Sequence, residues 1–483
     1  MNLSTRGYSL IKDNYSSVEL QQLRKDLTVK AFVNQNFSAP PNPFPVYAES
    51  KKKIYIPRFY GIKRYGYPET TKMVEPSVAN LNFTKELRPK QLPIVAKYLE
   101  VVGGPATGEG GPATGEGGPA TGEGGGGIIS VPCGYGKTVL ALYIAAQLKV
   151  KTLVVVHKEF LLDQWKDRIS EFIPDAKVGR LQSKVIKVEN KDIVIGMLQS
   201  ISMIDYDESV FDGFGMVIYD ECHHLGAEVF SKALLKTNFK YLLGLSATPK
   251  RMDGLSKVFE WYLGDIVYSI KKRDIETVDV KIIKFYDNDN KYSKIVVNQL
   301  GKPCMPLMIN NITTFPKRIT LVMKEVQWCL EDGRKILLLS DRRDHLKILK
   351  TEIEKIEGYT SGFYLGGMKP KELEESEAAD VILGTFSMAS EGFDCRFSLN
   401  TIILASPKSS IEQSVGRILR QEEKHRKKVP LIIDINDDFS LFARQTQKRI
   451  KFYKKNKYDI EYYDTDGKQS SQKKIDEIPD FID

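Results

Sequence analysis

Short runs of consecutive apolar residues recur along this chain, separated by segments with apolar positions at helical spacing. The first half holds GIISV (127–131), TLVVV (152–156), DIVIGM (192–197), MVIYD (216–220) and YLLGLS (241–246). The second holds KILLLS (335–340), FYLG (363–366), DVILGTF (380–386), TIILAS (401–406) and PLIIDI (430–435). A strand with one face in water alternates apolar and polar residues. Unbroken Val/Ile/Leu runs instead fit strands buried on both faces of a parallel sheet. Helical periodicity over 91–99, 137–148, 160–172 and 411–420 supplies crossovers between such strands. The pattern predicts an α/β chain with two parallel sheets of about five strands each. Apolar periodicity lapses at the charged KKRDIETVD, which puts the boundary between the two domains near 270–280.

One segment breaks the pattern. From Gly104 to Gly124 the heptamer GPATGEG occurs three times in tandem and three more glycines follow, so that 103–127 holds 13 of the chain's 36 glycines. Such a stretch cannot bury a core and reads as a flexible insertion before a strand entering at Ile128. It lacks lysine and does not itself join a strand to a helix, so it is not a phosphate-binding loop.

Composition adds class and partners. With 42% hydrophobic and 28% charged residues among 483, the chain has ample material for globular cores. No apolar run approaches the roughly 18 residues a membrane span needs, and MNLSTRGYSLIKDN lacks the apolar stretch of a secretory signal. The five cysteines (Cys133, Cys222, Cys304, Cys329, Cys395) form no C-x-x-C pair. A reducing, intracellular setting follows, in the cytoplasm, a nucleus or a virion rather than outside the cell. The net charge of +9 is uneven: residues 1–82 carry twelve Lys/Arg against six Asp/Glu, and 444–457 carries seven Lys/Arg and no acid. Clusters of this kind attract polyanions, but charge alone suits a solvated face equally well. The domain plan is a basic accessory region (1–82), a first α/β domain (83–270, interrupted at 103–127), a second (271–443) and a charged tail (444–483).

Four segments carry the chemistry. In SVPCGYGKT (130–138), a strand, a glycine turn and a helix start coincide. Pro132, Cys133, Gly134, Tyr135 and Gly136 would wrap phosphates, with backbone N–H groups from every one of them but the proline. Lys137 would reach the β- and γ-phosphates and Thr138 would bind Mg2+. Val131 stands where the strict pattern has its first glycine. In MVIYDECHH (216–224), two acids end an apolar strand: Asp220 holds Mg2+ through water and Glu221 activates the attacking water. A metal site on Cys222, His223 and His224 is disfavoured, because consecutive residues rarely converge on one ion. LSATP (245–249) offers Ser246 and Thr248 just after a strand, where they, with His223, would link ATP to the second domain. QSVGRILR (413–420) places Gln413, Arg417 and Arg420 at i, i+4 and i+7, one helical face, as a γ-phosphate clamp. Each segment falls at a plausible strand end, in the order a shared ATP site requires.

DECH, SATP and QSVGRILR together resemble the superfamily 2 DExH helicases, and more closely the XPB-like branch that includes transcript-release helicases of poxviruses and relatives in other large DNA viruses, among them iridovirus-type helicases. The resemblance implies two tandem RecA-like domains and further roles. Gln91 in LRPKQ would read the adenine edge. His157 and Lys158 in VVVHKEFLLDQW, Gln199 in IVIGMLQS, Arg342 in SDRRDHL and Thr385 in GTFSMASEGFD would face the nucleic acid, whereas Glu391, Gly392 and Asp394 would face ATP. The N-terminal IYIPRFYG is similar to the viral relatives as well. Where that branch carries Arg-Glu-Asp, this chain has Arg251-Met252-Asp253.

The expectation is therefore an ATP- and Mg2+-dependent helicase or translocase that tracks 3′ to 5′ on nucleic acid, DNA before RNA, alongside viral transcription or replication machinery. The tyrosines of Lys51–Tyr67 would either stack on bases or pack an accessory core. Competing readings are a double-stranded DNA translocase that does not unwind, an RNA helicase, and a scaffold without turnover.

Overall fold

The computed structural model describes residues 1–32, 41–103, 124–132, 134–251, 253–270, 277–299, 301–391, 399–419 and 426–469. The chain divides into two compact units, Met1–Lys271 and Lys272–Asp483.

The first unit is built on an eight-stranded sheet. Its strand order is Val185–Lys187, Val178–Gln182, Ile193–Met197, Thr152–Val156, Met216–Tyr219, Tyr241–Ser246, Gly125–Ser130, Ile266–Ser269. Every neighbouring pair is parallel except the first. Strands 152–156, 193–197 and 216–219 are buried at every residue, which is why they read as unbroken apolar runs. The count exceeds the expected five because edge strands lack that signature: Val178–Gln182 alternates and Ile266–Ser269 has no buried residue.

The glycine stretch needs a correction at its end. Gly125, Gly126 and Gly127 are not linker but the first half of the interior strand Gly125–Ser130, paired with Tyr241, Leu242 and Leu243. They are glycines because the sheet leaves no room for side chains. A Cβ on Gly126 would lie 2.4 Å from the carbonyl oxygen of Leu263, and one on Gly127 2.4 Å from Val267 Cγ1. The tandem repeat, apart from its last residue Gly124, lies outside the described residues.

Residues from the N-terminal region form a five-stranded sheet in the order Ala48–Glu49, Lys53–Ile56, Gly7–Ile11, Asn2–Ser4, Thr70–Lys72. Its Tyr8, Leu10, Ile54 and Ile56 share one core with Ile128, Leu153, Val217 and Leu242 of the large sheet. The segment IYIPRFYG is where the two join. Arg58, 3% exposed, donates from Nη1 to the carbonyls of Phe239 and Lys240 and from Nη2 to that of Gly124, each at 3.2 Å. Packing also claims the tyrosines: Tyr60 meets Trp261 edge-on at 5.2 Å and Tyr65 stacks on Tyr8 at 6.3 Å, while Tyr67 is exposed.

Among its described residues the second unit forms a seven-stranded sheet, all parallel, in the order Ser361–Tyr364, Val381–Gly384, Ile336–Leu339, Thr401–Leu404, Leu431–Asp437, Asp279–Phe285, Asp459–Tyr463. The last strand and the helix Ser440–Lys455 occupy what the sequence suggested was a charged tail. The helix buries Phe442, Thr446, Arg449, Ile450 and Tyr453, a period masked in the sequence by the lysines between them. Arg449, 2% exposed, forks onto both oxygens of Asp434 at 2.8 Å. A second buried fork joins Arg318 to Asp437 at 2.7 and 2.9 Å. Among the described residues, no helix is long and apolar enough to cross a membrane.

Candidate functional site

In a parallel sheet the strand ends share one edge, and ligands gather outside the carboxyl end. Ser130 pairs with Ser246, Gly244 with Tyr219, and Val156 with Met197. The phosphate-loop candidate, the SAT segment, the acid pair and the 157–158 and 199 positions therefore leave the sheet on the same side. Parallel register, not proximity in sequence, assembles them.

The loop after Ser130 turns into the helix Lys137–Leu148, whose N-cap Gly136 is left-handed at φ +79°. Gly134 is left-handed too, at φ +90°, and a Cβ on Gly136 would lie 2.6 Å from Gln91 Nε2. Gln91 is the reason for that crowding. It is 3% exposed, donates from Nε2 to the Tyr135 carbonyl at 2.9 Å, and accepts at Oε1 from the Arg88 amide at 2.9 Å. It thus braces the loop, leaving one N–H and one lone pair for any adenine. Pro132, Lys137 and Thr138 are half-buried and Gly134 is exposed; Cys133 lies outside the described residues.

Lys137 Nζ is ion-paired with Glu221 Oε1. Burial would push the Glu221 carboxyl up, but the Lys137 ammonium and His223 outweigh it and hold the group well below the usual carboxylate range. Asp220 goes the other way, raised by burial and then by the neighbouring Glu221 charge. Glu221 also sits in the left-handed region at φ +50°, which costs a residue with a side chain about 1 kcal/mol. A half-buried and a buried acid side by side, with Glu221 Oε2 lacking a hydrogen bond, suit an oxygen-preferring cation nearby.

Behind the acids, His223 Nδ1 lies 3.4 Å from Glu221 Oε2 and shares a hydrogen bond of 3.0 Å with Ser246 Oγ. Ser246 Oγ also accepts from the Thr248 amide at 3.1 Å. A chain of contacts thus runs from Lys137 through Glu221 and His223 to the SAT segment. Arg251 pairs with Asp253 and donates to the His223 carbonyl, so the departure from Arg-Glu-Asp keeps its first and third residues in contact. Met252 lies outside the described residues.

His157 is 6% exposed and its ring lies against His224 with centroids 4.1 Å apart, while its carbonyl accepts from Gln199 Nε2 at 2.6 Å. Both residues thus build the edge of the sheet, and Lys158 beside them is half-buried. Sequence reasoning missed Trp165, whose indole N–H donates to Asp220 Oδ2 at 2.9 Å. A tryptophan on the inner face of a helix needs an acceptor for that N–H, and asking where it went could have found the contact.

In the second unit Arg342 is tied back to Asn310 Oδ1 at 2.5 Å and the Pro306 carbonyl at 2.9 Å. Thr385 Oγ1 accepts from the Met388 amide at 3.4 Å. The helix expected over 411–420 is only Glu412–Val415. Arg417 and Ile418 donate their amides three residues back, to Ser414 and Val415, so Gln413 and Arg417 do not share an α-helical face. Gln413 is half-buried, and Arg417, 8% exposed, donates from Nε to the Ala389 carbonyl at 2.6 Å. Gly392, Asp394 and Arg420 lie outside the described residues.

Residues 84–251 match the family described as "Type III restriction enzyme, res subunit". A protein of Acanthamoeba polyphaga mimivirus named "Putative ATP-dependent RNA helicase L396" is 36% identical over 472 residues, covering 95% of this chain and 86% of that one. "Putative ATP-dependent RNA helicase QP509L" of African swine fever virus (strain Badajoz 1971 Vero-adapted) is 27% identical over 352 residues, 68% of each chain. "Putative helicase 161L" of Invertebrate iridescent virus 6 is 26% identical over 346 residues, 68% of this chain and 76% of its own. Among solved structures, T4 UvsW aligns over 93% of this chain and 96% of its own, at 16% identity and a TM-score of 0.33. The phosphate loop, the acid pair and near-complete coverage of the mimivirus protein converge: this chain belongs to the family of viral ATP-dependent helicases.

Proposed function

We propose that the protein is a motor that hydrolyses ATP on Mg2+ at the strand ends of its first unit and uses the cycle to move along, and separate, strands of nucleic acid. The observation that carries this is the continuous contact from Lys137 through Glu221 and His223 to Ser246. It joins the group that would hold phosphate, the group that would activate water and the segment that would report hydrolysis. Gly134, Gly136 and the start of the helix Lys137–Leu148 cradle the phosphates; Thr138 and Asp220 hold Mg2+, which screens phosphate charge; Gln91 meets the adenine. Glu221 deprotonates the attacking water. Gln413, Arg417 and Arg420 of the second unit stabilise the transition-state charge, and Gly392 and Asp394 support them. Lys158, Gln199, Arg342 and Thr385 contact the sugar–phosphate backbone.

DNA is the substrate we place first, during viral transcription or replication. RNA is the second reading, favoured by the names of the mimivirus and African swine fever virus relatives. Strand displacement from partial duplexes of DNA and of RNA, run beside displacement of a triplex-forming strand, separates the possibilities. Release of a strand from a partial duplex, dependent on ATP and abolished by Glu221→Gln, is expected. Triplex displacement without duplex separation would replace unwinding by translocation, and activity on RNA alone would reverse the order of substrates.

A further inference from the structure

The basic run that closes the second unit takes a definite shape on the helix Ser440–Lys455. Phe442, Thr446, Arg449, Ile450 and Tyr453 face inward. Arg444, Lys448, Lys451 and Lys455 are exposed at successive spacings of four, three and four, which is one helical stripe about 16 Å long. No acid occurs anywhere in residues 440–457, and none of the four cations has an ion-pair partner among the described residues.

That arrangement differs from three exposed lysines elsewhere in the protein, each of which meets an acid three residues away: Lys97 with Glu100, Lys347 with Asp344, Lys355 with Glu352. Like charges one helical turn apart destabilise a helix, and a cation near its start opposes the dipole. The buried fork of Arg449 on Asp434 holds the helix in place regardless. A rigid, uncompensated row of cations at intervals of about 5 to 6 Å matches a polyanion of regular charge spacing.

We propose that this outward face binds the phosphodiester backbone of nucleic acid, without base selectivity, through cations to which none of the motif roles above is assigned. The proposal rests on the reading that nucleic acid is the protein's partner. Its test uses the full chain with Arg444→Gln, Lys448→Gln, Lys451→Gln and Lys455→Gln combined. The control removes the same charge from paired lysines, with Lys63→Gln, Lys97→Gln, Lys347→Gln and Lys355→Gln. Affinity for a fluorescein-labelled oligonucleotide, single-stranded and duplex, is measured across a salt series.

Four lost phosphate contacts should make the slope of log K against log salt shallower by about 3, equally for unrelated sequences, while the control shifts by less than about 1. Arg444→Lys with Lys448→Arg, Lys451→Arg and Lys455→Arg should restore the slope. If the fourfold variant melts early, the pairs 444/448 and 451/455 should each lower the slope by about 1.5. A wild-type slope in the stripe variants, or an equal change in the control, overturns this inference and leaves the motor reading intact. Absence of nucleic-acid binding by the wild type would instead remove the motor reading itself.

Discussion

Replacing Glu221 by glutamine should make the protein hold ATP more tightly while hydrolysing it far more slowly. The Lys137 ammonium is engaged by the Glu221 carboxylate, and the two side chains are only 12% and 10% exposed. Lys137 must leave that partner to reach a triphosphate. A hydrogen bond to a charged group contributes about 1.5–3 kcal/mol and one between neutral groups about 0.5–1.5. Exchanging carboxylate for amide therefore lowers the cost of freeing Lys137 by about 1 to 1.5 kcal/mol, or roughly tenfold in affinity. Loss of a negative charge beside the incoming phosphates acts in the same direction. Lys137 and His223 keep the Glu221 carboxyl below its ordinary range, so the carboxylate is present at neutral pH and the effect should appear there. Titration with a fluorescent ATP analogue should show the Glu221→Gln dissociation constant falling about tenfold, with turnover reduced by roughly 10² or more as a general base is lost. Adenosine, which has no phosphates, should bind both proteins alike. An unchanged or weaker affinity for the triphosphate, or a gain shared by adenosine, would refute the competition between Glu221 and phosphate for Lys137.

Arg58→Met should lower the stability of the first unit by about 3 kcal/mol in urea unfolding, because carbonyls of Phe239, Lys240 and Gly124 lose a buried donor; a loss below about 0.5 kcal/mol would mean the N-terminal sheet is held by its apolar core alone. Gly126→Ala should cost about 2 kcal/mol or more by the same assay, since its Cβ meets the Leu263 carbonyl and the backbone must shift; wild-type stability would show that this glycine is not needed for close approach. The second unit should lose stability in acid through His345. Burial, reinforced by the Arg318 charge, pushes that imidazole down to about 3, whereas the unfolded chain takes up its proton near pH 6.5. The contribution is complete above about pH 6.5 and falls by about 1.4 kcal/mol per pH unit below it, until the folded form also titrates. Unfolding measured from pH 7 downward should show a shallower acid loss for His345→Gln, and parallel curves would contradict the assignment.

Much of the fold is legible in the amino-acid sequence itself. The strands at 152–156 and 241–246 and the helix at 137–148 carry their identity in unbroken apolar runs and glycine punctuation. So does the cluster at the carboxyl edge, because parallel strands of similar length bring successive strand-end motifs to one side. What the pattern hides is structure made from charged or residue-poor segments. Asp279–Phe285 and Asp459–Tyr463 alternate charge with apolar residues. Helix 440–455 buries an arginine on a carboxylate. Gly125–Gly127 form a strand with no side chains to betray it. The helical face expected for Gln413 and Arg417 does not form for a related reason: three-residue hydrogen bonding after Val415 changes the angular spacing on which the expectation relies.

The central claim is that nucleic acid drives ATP turnover at the Lys137–Glu221 pair. Steady-state phosphate release by the purified chain, measured without nucleic acid and then with single-stranded DNA, duplex DNA and RNA, tests it directly. A rate that rises at least several-fold with one of these polymers, saturates with its concentration and vanishes in Lys137→Ala is the result expected. Turnover indifferent to all three, or persisting after Lys137 is removed, would contradict it.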